Sequence, residues 1–363
     1  MKIIRIVSEL DFGGVERRLF LTSKAFVNDV EHDLTILVLG KKGKISKEIQ
    51  NIGIEVIGFS KNSKIPNFLL IFLIFRKLKS ISPDVVHCSG SEANFHGLLA
   101  SWMAGVPHRI GEEIGYPAHD RKWKIIFFFV YLVAHDLVAI SNAVKDKLIA
   151  LGEVPANKIR VIYNPVELKT GLLLAKNKSS KGNDFIFGIT CRLTPIKNLS
   201  TLIKSFSVLR PTDKHQSLQL WIIGEGPELE SLKYLVAKKG LIGKVIFFGY
   251  QENVVPFLCK MDAFVLPSFS EGFSLSLVEA MLCSLPVIAT KVGGPGEIIT
   301  TQTGFLVDPY DSVDLIKNMQ FVLDLTEEER RLIGKNAKAV AEKKFTLKKY
   351  KNELLKLYRE KIE

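Results

Sequence analysis

The sequence predicts an α/β protein of two Rossmann-like domains, their parallel sheets facing a central cleft. Three observations carry this. At 363 residues the chain is long enough for two domains. Short runs rich in β-branched residues alternate with longer amphipathic stretches, the pattern of a parallel sheet covered on both faces. The alternation stops at a polar stretch near Pro165 and then restarts. Residues 1–166 are therefore assigned to the first domain, 167–183 to a linker and 184–346 to the second, with a helix over 347–363.

In chain order, the first domain supplies strand candidates at Ile3–Val7, Leu34–Leu39, Val56–Phe59, Val85–Cys88, Leu137–Ile140 and Val161–Tyr163. Glu167 to Asn183 includes Lys-Asn-Lys-Ser-Ser-Lys-Gly and reads as a connection. The second domain supplies Phe185–Thr190, Leu218–Ile223, Val245–Phe248, Ala263–Leu266 and Val287–Ala289. Leu347, Tyr350, Leu354 and Leu357 then recur at helical spacing. Ligands of open α/β sheets bind outside the carboxyl ends of the strands, so the loops there are the places to look for chemistry.

Composition narrows the function. Hydrophobic residues make up 47% and charged residues 24%, as in an ordinary globular protein. No run is apolar enough to span a bilayer, and Met1 to Val7 reads as a first strand, not a signal peptide. The four cysteines are far apart and form no CxxC, which fits a reduced, cytoplasmic setting. The seven histidines lack zinc-type spacing, and Asp-x-Asp, a common device for a metal-bound sugar nucleotide, does not occur. No metal or other cofactor is expected. A formal charge of +12 calls for an anionic partner. Nucleic acid is disfavoured, because no zinc finger or aromatic RNA-binding motif is present. Two basic, aromatic stretches, Lys61 to Lys79 and Arg121 to Leu132, fit helices lying on an anionic membrane leaflet, and equally fit core helices with basic ends.

Several strand ends carry candidate ligand groups. Gly13-Gly14 follows the first strand, either as a plain tight turn or to let the backbone approach a phosphate or sugar. Arg192 and Lys197 leave the strand Phe185–Thr190 close together; a guanidinium fork and an ammonium suit a diphosphate, while the alternative is two solvated cations. Gly224-Glu225-Gly226-Pro227 and Gly249-Tyr250-Gln251-Glu252 are turns that could wall a nucleotide, Tyr250 near the base. After Ala263–Leu266, Glu271, Gly272, Phe273, Ser274 and Leu275 lead into a helix that carries Glu279. The helix start suits phosphate, and two acids beside it could hold sugar hydroxyls. Against this, Ser276-Leu277-Val278-Glu279 matches a capping box, in which Glu279 is structural. Gly293-Gly294-Pro295-Gly296 is a further glycine-rich loop, and His87 ends a strand where a packed histidine is the usual case.

Taken in order, these segments resemble retaining glycosyltransferase family 4, of GT-B architecture and bacterial polysaccharide-biosynthesis type. The resemblance rests on Gly13 to Arg17, Lys158 to Val166, Arg192 to Asn198, Gly224 to Pro227, Pro267 through Met281 with its E-x7-E acids, Pro286 through Glu297, and Gly304 to Val307. It implies that Arg192 and Lys197 bind the donor diphosphate, that Glu271 contacts the donor sugar, and that Glu279 holds the ribose. It also implies that backbone N–H groups of Phe273 to Leu275 meet phosphate and sugar, and that Gly13 and Gly14 close on the donor. The terminal helix would return to the first domain. Family members commonly carry a histidine after a Val-Pro-x-x strand; here Glu113 stands in its place, and His119 follows on the same loop. The implied activity is transfer of a hexose or N-acetylhexosamine from a nucleoside-diphosphate sugar, UDP favoured, to a glycan acceptor on a lipid carrier. The enzyme would lie peripherally on the inner face of the cytoplasmic membrane. Sugar-nucleotide epimerisation or hydrolysis, and non-catalytic sugar-nucleotide binding, are the alternatives. A nicotinamide enzyme is a poor fit without GxGxxG.

Overall fold

The structure is a computed structural model that describes residues 1–11, 13–117, 119–168, 184–212, 215 and 217–361. Nearly all of the predicted linker, 169–183, lies outside the described residues. The chain divides into two compact units, Met1–Val166 with Phe345–Glu363, and Glu167–Lys344.

The first unit runs β1 (Lys2–Val7), α1 (Gly14–Phe26), β2 (Asp33–Val38), α2 (Lys44–Asn51), β3 (Glu55–Gly58), α3 (Phe68–Ile81), β4 (Val85–Ser89), α4 (Ser91–Ala104), β5 (His108–Glu113), α5 (Arg121–Leu132), β6 (Asp136–Ala139), α6 (Asn142–Leu151) and β7 (Ile159–Val161). Its seven strands lie in the order β3-β2-β1-β4-β5-β6-β7, every neighbour parallel. Strand order reverses between β1 and β4, so the loops after these two strands diverge and leave a crevice there.

The second unit runs β8 (Asp184–Thr190), α7 (Leu199–Phe206), β9 (Ser217–Ile223), α8 (Leu229–Lys238), β10 (Val245–Gly249), α9 (Val255–Leu258), β11 (Ala263–Leu266), α10 (Leu275–Leu282), β12 (Val287–Thr290), α11 (Pro295–Ile298), β13 (Gly304–Val307), α12 (Ser312–Asp324) and α13 (Glu327–Lys344). The parallel order β10-β9-β8-β11-β12-β13 reverses between β8 and β11. The inner strands β4, β6, β11 and β12 are buried along their whole length, as expected of strands covered on both faces.

The final helix, α14 (Leu347–Arg359), completes the core of the first unit. Its Tyr350, Leu354, Leu357 and Tyr358 are buried among residues of β1, β2 and α1. Thr346 caps it by accepting the Lys349 N–H.

Two strands escaped the sequence reading. β5 carries His108, Arg109, Glu112 and Glu113 and shows no apolar run. Those polar groups are satisfied inside the fold: His108 pairs with Asp136 at 3.0 Å, and Arg109 donates to the Val133 carbonyl. β13 is short and opens on glycine. β7 lies two residues earlier than read.

A buried ionic knot sits beneath the β1/β4 crevice. Glu112 receives both guanidinium nitrogens of Arg18, at 2.6 and 2.7 Å, one from Arg5 at 2.9 Å, and the Ser89 hydroxyl at 2.7 Å. Burial alone would raise this carboxyl, but Arg18 and Arg5 hold it at about 2. Arg5 also reaches the Tyr358 hydroxyl, so one cluster joins α1, the sheet and α14. His87 belongs to this cluster, fully buried with Nδ1 at 2.8 Å from Arg5; burial and the Arg5 charge keep its pKa well below the ordinary value.

Candidate active site

Each unit presents a candidate site at its own reversal of strand order. In the second unit the segment after β8 carries Arg192 and Lys197, and the segment after β11 carries Glu271. The Lys197 ammonium pairs with Glu271 Oε1, which also accepts the Ser268 hydroxyl at 3.0 Å. Ser268 is held in turn by Thr290, whose hydroxyl donates to its carbonyl at 2.6 Å. The two segments are also laced through backbone, Phe269 N–H to Ile196 carbonyl at 2.8 Å. Lys197 and Glu271 are thus brought together. Arg192 is exposed on the same segment after β8, with no ion pair among the described residues.

The glycine turns act on this cluster through the backbone. Gly224 has φ +137°, and a Cβ there would lie 1.9 Å from the Cys191 carbonyl oxygen. The Leu193 N–H donates to the Glu225 carbonyl, so the turn Gly224 to Gly226 clamps the segment that presents Arg192. Gly293 has φ +52° and sits where a Cβ would meet the Glu271 carbonyl oxygen at 1.7 Å; Gly294 N–H donates to that same oxygen. This second glycine-rich loop holds the Glu271 backbone in place.

Helix α10 starts at Leu275 with Ser274 as its cap, the hydroxyl accepting Leu277 N–H at 3.3 Å. The capping box read at Ser276–Glu279 does not form, because the helix begins two residues before such a cap requires. Glu279 lies in the second turn, half-buried. The N–H groups of Leu275 and Ser276 precede the first intrahelical bond, Val278 N–H to Ser274 carbonyl, as an anion site requires. Gly272 is partly exposed and Phe273 is packed inward. Tyr250 is exposed after β10, its N–H donating to the Glu225 carboxylate at 3.3 Å.

In the first unit a cavity of about 700 Å³ opens at the β1/β4 reversal. It is lined by the ends of β1, β4 and β5 and includes Glu9, Glu16, Glu92, Glu113 and His119. Glu113 is the last residue of β5. It is almost fully buried, and Oε1 accepts from the Tyr131 hydroxyl and from Asn94 at 3.1 Å. Burial pushes this carboxyl up to about 7, with Tyr131 and His119 opposing part of the rise. His119 stacks on Phe127 at 4.5 Å and places Nδ1 2.8 Å from Glu153. Burial would lower its pKa, but the Glu153 hydrogen bond and charge raise it. Gly13 and Gly14 are exposed, and the lining residues this loop contributes are Val15 and Glu16. The sequence reading gave no role to Glu9, Glu16 or Glu92. The signal was available: Glu9 and Glu92 lie two and three residues past the carboxyl ends of β1 and β4, which flank the reversal, and Glu16 is in the first turn of the helix that follows β1.

The two basic, aromatic stretches become α3 and α5, and each is divided. α3 buries Leu70, Ile71, Ile74 and Leu78 but leaves Phe68 74% and Leu69 57% exposed. α5 buries Phe127, Val130 and Tyr131 but leaves Ile125 56% and Phe129 61% exposed. Each helix is core on one face and exposed apolar surface on the other. Among the described residues no helix is long and apolar enough to cross a membrane.

Comparison with known proteins is consistent across both units. Residues 12–170 match the family model described as Glycosyltransferase Family 4, and residues 174–340 that described as Glycosyl transferases group 1. An uncharacterized glycosyltransferase of Methanocaldococcus jannaschii is 30% identical over 73% of this chain and 71% of its own. The UDP-Gal:alpha-D-GlcNAc-diphosphoundecaprenol alpha-1,3-galactosyltransferase of Escherichia coli is 26% identical over 82% of this chain and 80% of its own. Among solved structures, Anabaena HepE in complex with UDP aligns with a TM-score of 0.84 at 21% identity, covering 98% of this chain and 99% of that one.

Proposed function

The chain belongs to the group 1 and family 4 glycosyltransferases, and on that premise we propose that it transfers a hexose or N-acetylhexosamine from a UDP-sugar to a lipid-linked glycan acceptor, with retention and without a metal. The observation that carries this reading is the cluster at the β8/β11 reversal: an exposed guanidinium, a lysine paired with a buried glutamate, and a helix start, all on adjacent strand ends. Arg192 and Lys197 would neutralise the leaving diphosphate, where negative charge grows in the transition state. The free N–H groups of α10 would add to this. Glu271, fixed by Ser268 and Gly294, would accept hydrogen bonds from sugar hydroxyls, and Glu279 from the ribose. The Escherichia coli relative, named for a UDP-sugar and a diphosphoundecaprenol acceptor, supports the donor base and the acceptor class.

In the first unit, Glu113 and His119 line the cavity that would receive the acceptor. A carboxyl titrating near neutrality is suited to take up a hydroxyl proton, and His119 could assist it. The exposed apolar faces of α3 and α5, with Arg76, Lys79, Arg121 and Lys122 on the same helices, would bring the protein to an anionic membrane surface.

The test is a thermal-shift panel of UDP, GDP, ADP and their sugar conjugates with and without EDTA, followed by transfer to a diphospholipid-linked N-acetylglucosamine. Selective, EDTA-insensitive stabilisation by one uridine ligand and an α-linked product from an α-donor are expected. Loss of stabilisation with EDTA, or a product of inverted anomeric configuration, would overturn the corresponding part of the reading.

A further inference from the structure

We propose that the cavity of the first unit selects its acceptor sugar by charge, admitting a sugar without an anionic group and holding carboxylated and phosphorylated groups outside. This rests on the glycosyl-transfer reading and adds the acceptor class to it. The chain carries 50 lysines and arginines against 38 acids, yet the described lining residues of this cavity include four glutamates, one histidine and neither lysine nor arginine. The distribution opposes the net charge of the whole molecule, so it is a local property of the site.

Two helices begin at the cavity, and both starts already carry a carboxylate. The Glu16 side chain folds back over the start of α1, so closely that a Cβ on Gly13 would lie 2.4 Å from Glu16 Oε2. Glu92 occupies the first turn of α4 and accepts the Ser8 hydroxyl at 3.3 Å. The backbone features that would otherwise attract a phosphate or uronate are thus matched by the protein's own acids. Glu9, from the loop after β1, adds a further negative charge at the rim. What remains favourable is a donor of hydrogen bonds. Carboxylates accept from sugar hydroxyls, and more strongly from an ammonium. The cavity volume, about 700 Å³, lies within the roughly 300–1,000 Å³ usual for ligand pockets. If the acceptor is carried on a lipid diphosphate, its phosphates lie beyond this cavity and only its terminal sugar enters.

Saturation-transfer NMR on the full chain tests this, with methyl glucoside, methyl glucosaminide and methyl glucuronide as probes at neutral pH. Glucoside and glucosaminide should bind, and glucuronide should bind about tenfold more weakly or not at all. The double variant Glu9→Gln, Glu92→Gln changes two exposed side chains outside the core and should narrow that gap. Equal binding of glucuronide and glucoside, absence of binding by all three, or an unchanged gap in the double variant would each overturn the proposal. The readout needs no turnover. A chain that binds the neutral probes selectively but never releases UDP from a UDP-sugar would sink the transferase reading and leave the charge selection standing.

Discussion

Glu113 makes the stability of the first unit depend on pH. Its folded pKa of about 7 lies above the ordinary carboxyl value of 4.5, so the native state keeps a proton that the unfolded chain releases in between. The stabilisation is fully present below about pH 4.5 and is lost as pH rises through 7, on the order of 3 kcal/mol at most. His119, also raised, acts in the same direction: its contribution is present below its ordinary value and fades as pH climbs past the raised one. Glu113→Gln keeps an acceptor for the Tyr131 hydroxyl and removes the titration. The stability advantage of wild type over this variant should therefore shrink between pH 5 and pH 8. A difference that stays constant in melts across that range would show that Glu113 does not titrate there. In the second unit, Lys197→Met strips the partner from a carboxylate that is only 8% exposed and should cost about 1–3 kcal/mol in chemical denaturation. Arg192→Ala removes an exposed side chain and should change stability by no more than about 0.5 kcal/mol, while weakening UDP binding in a titration. If both variants were equally destabilised, the division between a paired and a free cation would be wrong.

At the scale of elements, what could be read from the sequence was whatever follows from periodicity. Strands such as β1, β4, β8 and β11 announce themselves by short, largely apolar runs, as burial on both faces favours. β5 does not, because its His108, Glu112 and Glu113 are satisfied by partners from β6, α1 and α5 that lie far away in sequence. The same limit hid the function of the glycine loops. Gly293 reads only as part of a glycine-rich loop and serves, in this structure, as clearance for the Glu271 carbonyl. Continuous apolar runs could not distinguish core from surface in α3 and α5, and the structure shows both faces in each helix. Flotation on anionic vesicles should be positive at low salt and weaken as salt rises, since basic side chains contribute alongside the aromatic ones. Phe72→Ser with Phe129→Ser alters exposed positions only and should lower flotation without lowering the melting temperature. Flotation that is negative at low salt would remove the membrane from the account.

At the scale of the molecule, the chain closes its first unit with its last helix. Arg5, near the start, donates to the Tyr358 hydroxyl at 3.3 Å, and the Thr22 hydroxyl donates to that of Tyr350 at 3.2 Å. Leu354 is fully buried in the core shared with β1, β2 and α1. These contacts span more than 300 positions, so the first unit cannot complete its core until residues 345–363 are available. Local sequence could show that the terminal segment is amphipathic but not which sheet it covers. The ionic knot raises the consequence of losing it: without α14, Arg5 loses its Tyr358 partner and the apolar face around Leu354 and Leu357 meets water. Leu354→Ala should cost about 2–5 kcal/mol, as a large-to-small change in a packed core. A chain ending at Lys344 should fold its second unit and leave the first unprotected. Hydrogen exchange would then show the amides of β8, β11 and β12 slow, and those of β1 and β4 at or near unfolded rates. Protected β1 amides in that truncation would mean that the sheet of the first unit holds without α14, and that the helix is a cover and not part of the core.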